Sequence, residues 1–239
     1  MDNEIEIMAI STDELLLSSG KVTHIYGPPK VGKSTLSAII ALELARLDVE
    51  TLIISTERPI ELRMESLLES NDDYSMDLLN KISTANILTI DELTDVFSKN
   101  LEEVSANFDV IIIDSLTAGY RTKAGPIYLT LLRKTLSALQ SLAINKGQAI
   151  IFTNQISSKV ETKNDFKPVA ATSTRSYSDI TIRLIKKFDE RREIIFEDSF
   201  GEEKTVLEPF TIITAGIDEF HTLFDITVKP NRKFPLPVL

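Results

Sequence analysis

Gly27-Pro28-Pro29-Lys30-Val31-Gly32-Lys33-Ser34-Thr35 matches GxxxxGK[ST] at every fixed position. An apolar run, Lys21 to Tyr26 (KVTHIY), precedes it, and the segment from Lys33 to Leu47 that follows carries Leu36, Ile39, Ile40, Leu42 and Leu44 at helical spacing. Strand, Gly-containing turn and helix are the context in which this spacing builds a phosphate-binding loop. The turn's amides and the unpaired donors of the helix start converge on an anion, and the helix dipole favours negative charge there. The expected ligands are ATP and Mg²⁺, with Lys33 reaching the β and γ phosphates and Ser34 giving its hydroxyl oxygen to the metal. In the empty protein the Lys33 ammonium is expected to rest against nothing.

Outward from the loop, strands and helices alternate. Thr51 to Ser55 (TLIIS) reads as a strand, about Pro59 to Asn80 as an acidic helix, Ile87 to Ile90 as a short strand and Asp91 to about Ser105 as a helix. Phe108 to Ile113 (FDVIII) and Gln148 to Thr153 (QAIIFT) are continuous apolar runs, as strands buried on both faces should be, and Pro126 to Asn145 between them is a long helix. This predicts an α/β fold with a mostly parallel sheet flanked by helices, and ligands at the carboxyl ends of its strands. From Asp179 the pattern changes to ITIRLIKK, REIIFED and PFTIITAG, which predicts antiparallel strands appended to that sheet. No repeat or low-complexity linker divides the chain, so one domain over 1–239 is expected, with a short extension at 1–20 and a tail at 229–239.

Composition narrows the function. The 239 residues are 43% hydrophobic and 26% charged, which excludes a disordered or fibrous chain. There is no Cys, so disulfides, thiolate zinc sites and Cys nucleophiles are excluded. His24 and His221 have no partner at ligand spacing and read as core histidines, and no metal site beyond Mg²⁺ is expected. MDNEIEIMAI lacks the basic start of a secretory signal, and no apolar run approaches the roughly 20 residues of a membrane span. A soluble, cytoplasmic protein without a membrane partner is expected. A net charge of -10 argues against a general nucleic-acid coat protein but leaves room for a local basic patch.

Three polar residues at strand ends complete the candidate site. Asp114 ends FDVIIID, where a carboxylate holds the water shell of Mg²⁺; the alternative is a simple turn cap. Glu57 ends TLIISTE and is the candidate base for the attacking water, or else an acid favouring the first turn of the next helix. Gln155, after IIFTN, is an amide able to hydrogen-bond the γ-phosphate, or a polar residue that starts a loop.

These residues resemble a known family. GPPKVGKST, Ser55 to Glu57 (STE), Ile111 to Thr122 (IIIDSLTAGYRT) and Ile150 to Gln155 (IIFTNQ) are together similar to the RecA-type recombinase core, and DSLTAGYRT is the most specific piece. Lys167-Pro168, Arg183 to Lys187 and Phe196 to Ser199 continue the resemblance. Only about twenty residues precede the core, so the usual amino-terminal helix-hairpin-helix domain and aromatic linker are not seen, and the chain is similar to the archaeal RadB group of paralogues. That resemblance implies a P-loop ATPase that hydrolyses ATP weakly to ADP and phosphate, binds single-stranded or branched DNA weakly, and assists the main recombinase or a junction-cutting nuclease in DNA repair and recombination. It further implies association with the nucleoid, a small homo-oligomer at most, and no long filament. It assigns Lys33, Glu57 and Gln155 to catalysis, and Arg121, Lys159, Lys163, Lys167 and Arg175 to DNA. Two departures stand out: the STDELLLSSGK segment is shorter and poorer in Gly than the family's turn, and Ala170-Ala171 replaces a Gly pair.

Charge is polarised along the chain. Nine bases face five acids between 156 and 192, whereas twelve acids face three bases between 61 and 109. The basic stretch suits a phosphate backbone, or is a solvated hairpin face. The rival functional reading is a regulatory or clock-type ATPase or scaffold of the same fold, switching on nucleotide without a DNA role.

Overall fold

Val, Ile and Thr dominate the segments between the helices, and such β-branched side chains pack well on a pleated surface. The computed structural model describes residues 3–123, 125–157, 167–218 and 220–230. In chain order the elements are β1 (Asn3–Ala9), β2 (Leu15–Ser18), β3 (Val22–Gly27), α1 (Lys33–Arg46), β4 (Thr51–Ser55), α2 (Glu61–Ser70), β5 (Ile82–Asn86), α3 (Ile90–Lys99), α4 (Leu101–Asn107) and β6 (Val110–Asp114). There follow α5 (Ala118–Thr122), α6 (Pro126–Lys146), β7 (Ala149–Gln155), α7 (Ala171–Ser176), β8 (Ile180–Lys186), β9 (Arg192–Glu197), β10 (Glu203–Val206), β11 (Ile212–Ile213), β12 (Gly216–Ile217), α8 (Phe220–Leu223) and β13 (Phe224–Pro230).

Among the described residues, eight strands form the central sheet in the order β10-β9-β8-β3-β7-β6-β4-β5. The six from β8 to β5 are parallel, and β9 and β10 are added antiparallel. This is the expected α/β architecture. The continuous apolar strands are buried on both faces because each face carries its own core. Ile25, Ile53, Ile112 and Ile151 meet Leu36, Ile39 and Ile40 of α1 on one side; Ile54, Ile111, Ile113 and Phe152 meet Leu132, Leu136 and Leu139 of α6 on the other. Each such side chain removed from water contributes roughly 1.5–3 kcal/mol. Register sets Gly27 opposite Gln155 and Ser55 opposite Asp114, so the ends of β3, β7, β6 and β4 line one edge.

Several segments differ from the pattern expected of them. The acidic helix expected to Asn80 stops at Ser70, because Asn71 turns extended and its side chain accepts from Asp73 N and donates to Ala215 O; a 3-10 turn, Met76–Lys81, follows. The strand expected at 87–90 lies at Ile82–Asn86, a half-exposed sheet edge with weak apolar signal. Buried Ile90 instead opens α3, whose start Thr89 caps by accepting from Glu92 N. Asn100 breaks the helix expected at 91–105 into α3 and α4. Of the strands expected to be antiparallel, ITIRLIKK joins the sheet parallel to β3 as β8, REIIFED runs antiparallel beside it as β9, and the next is Glu203–Val206, while PFTIITAG bridges to Arg192 through Phe210 and supplies β11 and the start of its partner β12. The segment ahead of Lys21 forms β1 and β2, which with β13 make a separate antiparallel sheet burying Ile5, Ile7, Leu16 and Leu17. Among the described residues no helix is long and apolar enough to cross a membrane.

Candidate nucleotide site

The loop is shaped by two glycines. A Cβ on Gly27 would meet Leu184 O at 2.3 Å and Val31 Cγ1 at 3.1 Å, so β3 approaches β8 this closely only with glycine at its end. Pro28 and exposed Pro29 and Lys30 carry the chain round to buried Val31. Gly32, at φ 111°, then turns it into α1, a left-handed conformation that costs glycine little. The first turn of α1 holds no acid and no side-chain cap bond, so its leading amides are not taken by the chain's own anions. These features fit an incoming phosphate.

Lys33 is only 8% exposed, and its Nζ donates to Gly27 O at 2.8 Å and Pro28 O at 2.9 Å. The expectation that its ammonium rests against nothing is therefore corrected: the loop's own carbonyls accept from it. Burial lowers its pKa from 10.5 to about 8, Asp114 and Glu57 pull upward, and Arg121 pushes down with the burial. Ser34 is exposed beside it, and Thr35 Oγ1 accepts from Arg63 Nε at 3.1 Å. Ile212 of β11 lies over Gly32, where an added Cβ would come within 2.1 Å of its Cδ1.

Asp114 ends β6 with its Oδ1 accepting from Thr153 Oγ1 at 2.5 Å. Thr56 ties the neighbouring strand ends together: its N donates to Asp114 O at 2.9 Å, and its hydroxyl donates to Ser115 O and accepts from Ser115 N. Glu57 follows directly. α2 begins only at Glu61, and Glu57 Oε1 instead accepts from Gln155 Nε2 at 2.7 Å. Arg121 of α5 donates to Gln155 Oε1 and stands 3.9 Å from Glu57 Oε1. The edge thus gathers Lys33, Asp114, Glu57, Gln155 and Arg121. Among the described residues no three His, Asp or Glu converge as an all-protein metal cage. Mg²⁺ needs none, since it keeps much of its water and takes one or two protein oxygens with substrate phosphates, a role Ser34 and Asp114 fit.

The residues assigned to DNA are divided. Arg121 sits at the strand-end edge beside Glu57 and Gln155, Lys167 is exposed, and Lys159 and Lys163 lie outside the described residues. Arg175 is committed to Glu197, whose side chain is 1% exposed and which also meets Arg183 Nε and Tyr26 Oη at 3.1 and 2.7 Å. Lys186, Lys187 and Arg191 pair with Glu190, Glu193 and Asp189. The bridge between Ile156 and Pro168 closes the neck of the segment that leaves after Gln155.

His24 is fully buried between Tyr26 and Phe152, and burial lowers its pKa to about 3, so it is a neutral core histidine. His221 is not: its side chain is 62% exposed and reaches Glu43 at 3.4 Å, because α8 is a single turn at the surface. Thr153 and Thr56 escaped the sequence reading. Thr153 was findable, since it stands two residues before Gln155 and shares its face of the strand.

The Rad51 family matches residues 6–219. Among curated proteins, the DNA repair and recombination protein RadB of Methanocaldococcus jannaschii is 28% identical over 214 residues, covering 86% of this chain and 97% of that protein. The protein of the same name from Pyrococcus abyssi is 31% identical over 216 residues, covering 87% and 90%. A crystal structure of the RadB recombinase superposes with a TM-score of 0.68 at 24% identity, over 84% of this chain and 91% of that one, and speaks for the fold.

Proposed function

The chain belongs to the Rad51 family, in its RadB group, and from that premise we propose that it is an ATP-binding, weakly hydrolysing accessory protein of DNA repair and recombination. The observation that carries the reading is the meeting of Lys33, Asp114, Glu57 and Gln155 at one sheet edge beside a helix start free of side-chain caps. In this reading the chain is one RecA-like ATPase domain over 1–239, acting in the cytoplasm at the nucleoid.

Each residue has a task. The amides from Gly27 to Thr35 hold the triphosphate, and the Lys33 ammonium exchanges its two loop carbonyls for phosphate oxygens. Ser34, and Asp114 through water, would hold Mg²⁺, which when bound neutralises charge on the β and γ oxygens. Thr153 keeps the Asp114 carboxylate aimed. Glu57 takes the proton of the attacking water, and Gln155 orients that water or reads the γ-phosphate. DNA, single-stranded or branched, binds weakly at the basic segments after Asp114 and Gln155. The partner is the main recombinase or a junction-cutting nuclease, and the acidic surface between 61 and 109 suits a basic partner while opposing stacked copies, so no long filament forms.

Because Arg175, Lys186, Lys187 and Arg191 are paired with acids, a second reading stands, a nucleotide switch without DNA. Calorimetric titration with ATP·Mg and a labelled oligothymidine separates the two. ATP binding lost in Lys33→Ala together with salt-sensitive oligonucleotide binding supports the first reading. Absence of oligonucleotide binding at low salt selects the second, and unchanged ATP affinity in Lys33→Ala removes the loop from both.

A further inference from the structure

The sheet of β13, β1 and β2 ends on an open strand. Among the described residues β13 pairs only with β1, and it lies beyond the stretch matched by the Rad51 family. The ladder fixes which way its main-chain groups point. Ile5 N and Ala9 N donate on the β2 side, to Ser19 Oγ and Glu14 O, whereas Ile10 N donates to Leu223 O just ahead of β13. Main-chain direction alternates along a strand, so Glu4, Glu6 and Met8 face β13 and bond Lys229, Thr227 and Asp225. The N–H and C=O groups of Ile226 and Val228 therefore point outward. Charge is arranged about the same centre: Asp225-Ile226-Thr227-Val228-Lys229 carries opposite charges two places either side of Thr227, both of them exposed. Beside this edge, residues of α1, α8 and β13, with Leu47, line a groove of about 320 Å³ to which β1 contributes nothing, so it opens on the outer side of β13. Leu47 there is 43% exposed, and Ile226 and Val228 are half-buried.

We infer that the outer edge of β13 is a docking surface for a second copy of this chain, the two β13 strands pairing antiparallel about a twofold axis at Thr227. That register sets Ile226 opposite Val228 twice, and each pair exchanges two main-chain hydrogen bonds through groups already turned outward. Asp225 then meets Lys229 twice, at positions where the side chains of an antiparallel pair lie closest. Centring on Ile226 sets Asp225 opposite Thr227, and centring on Val228 sets Lys229 opposite Thr227 and Ile226 opposite Pro230, which has no N–H; both registers lose the ion pairs. A lysine on an edge strand repels ordinary pairing, and a strand offering a carboxylate at this register neutralises it. The twofold keeps both core faces on one side, so the second copy's Val228 joins Ile226 at the groove. An isologous interface of this kind closes at two copies and does not lengthen into a filament. The inference does not depend on the nucleotide or DNA reading.

Sedimentation velocity at low salt and rising protein concentration should show the full chain exchanging between monomer and dimer. Asp225→Lys and Lys229→Asp each place like charges opposite one another twice and should weaken the dimer about tenfold. An equimolar mixture of the two should recover it, since every crossed pair is then opposite in sign, and the double variant should dimerise as wild type does. Within the fold Asp225 stands opposite uncharged Met8 and Lys229 opposite Glu4, so Asp225→Lys is the milder change, and melting temperature reports on both. Val228→Pro removes an outward donor without costing the β1 ladder a bond, and should abolish the dimer at a melting temperature little changed. A monomer at every concentration overturns the inference, as does a dimer that none of the variants alters or a mixture that recovers no more than its components. A full chain that stays monomeric and dimerises only when cut after Pro230 gives the edge to the chain's own last residues, and likewise overturns it.

Discussion

Nucleotide affinity is expected to fall as pH rises through about 8, because the lysine that must be charged to hold phosphate is buried enough to lose its proton there. The unfolded chain keeps that proton to about 10.5, so between these values the empty folded protein binds fewer protons than the unfolded one, and its stability rises with pH across the window. At neutral pH the buried charge therefore costs the empty fold on the order of 3 kcal/mol, by the conversion of about 1.4 kcal/mol per pH unit. The nucleotide complex has the opposite preference, since phosphate oxygens favour the ammonium. If the bound lysine stays protonated, affinity should weaken about 25-fold between pH 7.5 and 9.5, approaching a decade per unit above the folded pKa. Titration of a fluorescent ATP analogue in parallel for wild type and Lys33→Met measures it. The methionine variant should bind weakly with a shallow pH curve, and its empty form should lack the wild type's gain in melting temperature between pH 8 and 10. Parallel curves for the two proteins, or a flat wild-type affinity, would refute the argument from burial.

Glu57→Gln should keep ATP affinity and lower turnover by about tenfold to a hundredfold, because an amide can hold water without taking its proton; phosphate release at wild-type rates would place the base elsewhere. Arg175→Ala should act on the fold and not on DNA, at about 3 kcal/mol for a buried carboxylate that loses a partner, seen as a melting point lower by roughly 10 °C; an unchanged melting point with weakened oligonucleotide binding would contradict the Glu197 pairing. Single-stranded DNA affinity should fall on a logarithmic salt scale with a slope of about -2 to -3.5, the range for three to five phosphate contacts, and a slope near zero would speak against a phosphate-tracking surface. Gly27→Ala should abolish nucleotide binding because its Cβ has backbone oxygen at 2.3 Å, and intact binding would show that β8 yields more easily than its packing suggests.

The parallel half of the sheet was legible because its strands obey one rule: TLIIS, FDVIII and QAIIFT are apolar on both faces and sit between amphipathic helices. The loop was legible because Gly27, Gly32, Lys33 and Ser34 stand at fixed spacing within nine consecutive residues, and Asp114, Glu57 and Gln155 because a carboxyl-terminal strand end is a definable place. What escaped depends on contacts distant in sequence. β5 is half-exposed ISTAN and becomes a strand by pairing with β4, while Ile90, apolar enough to suggest a strand, serves the helix core. β1 and β13 are partners across more than two hundred residues, and nothing local to either announces the other. Arg175 and Arg121 look alike in sequence, and only the structure shows that the carboxylate Arg175 meets is buried while the one beside Arg121 is half-exposed.

The ladder that sets Asn3 opposite Pro230 makes the described chain nearly a ring. Its two ends lie one strand spacing apart, so a linker of a few residues could join them and new ends could be opened at an exposed turn such as that between β9 and β10. The same ladder imposes an order in time. β1 and β2 are made before β13, and Ile5, Ile7, Leu16 and Leu17 then wait without that strand while the intervening two hundred or so residues are synthesised. The Gly27 to Thr35 loop follows β2 within a dozen residues, so it is made long before the strand that completes the sheet beside it in the chain.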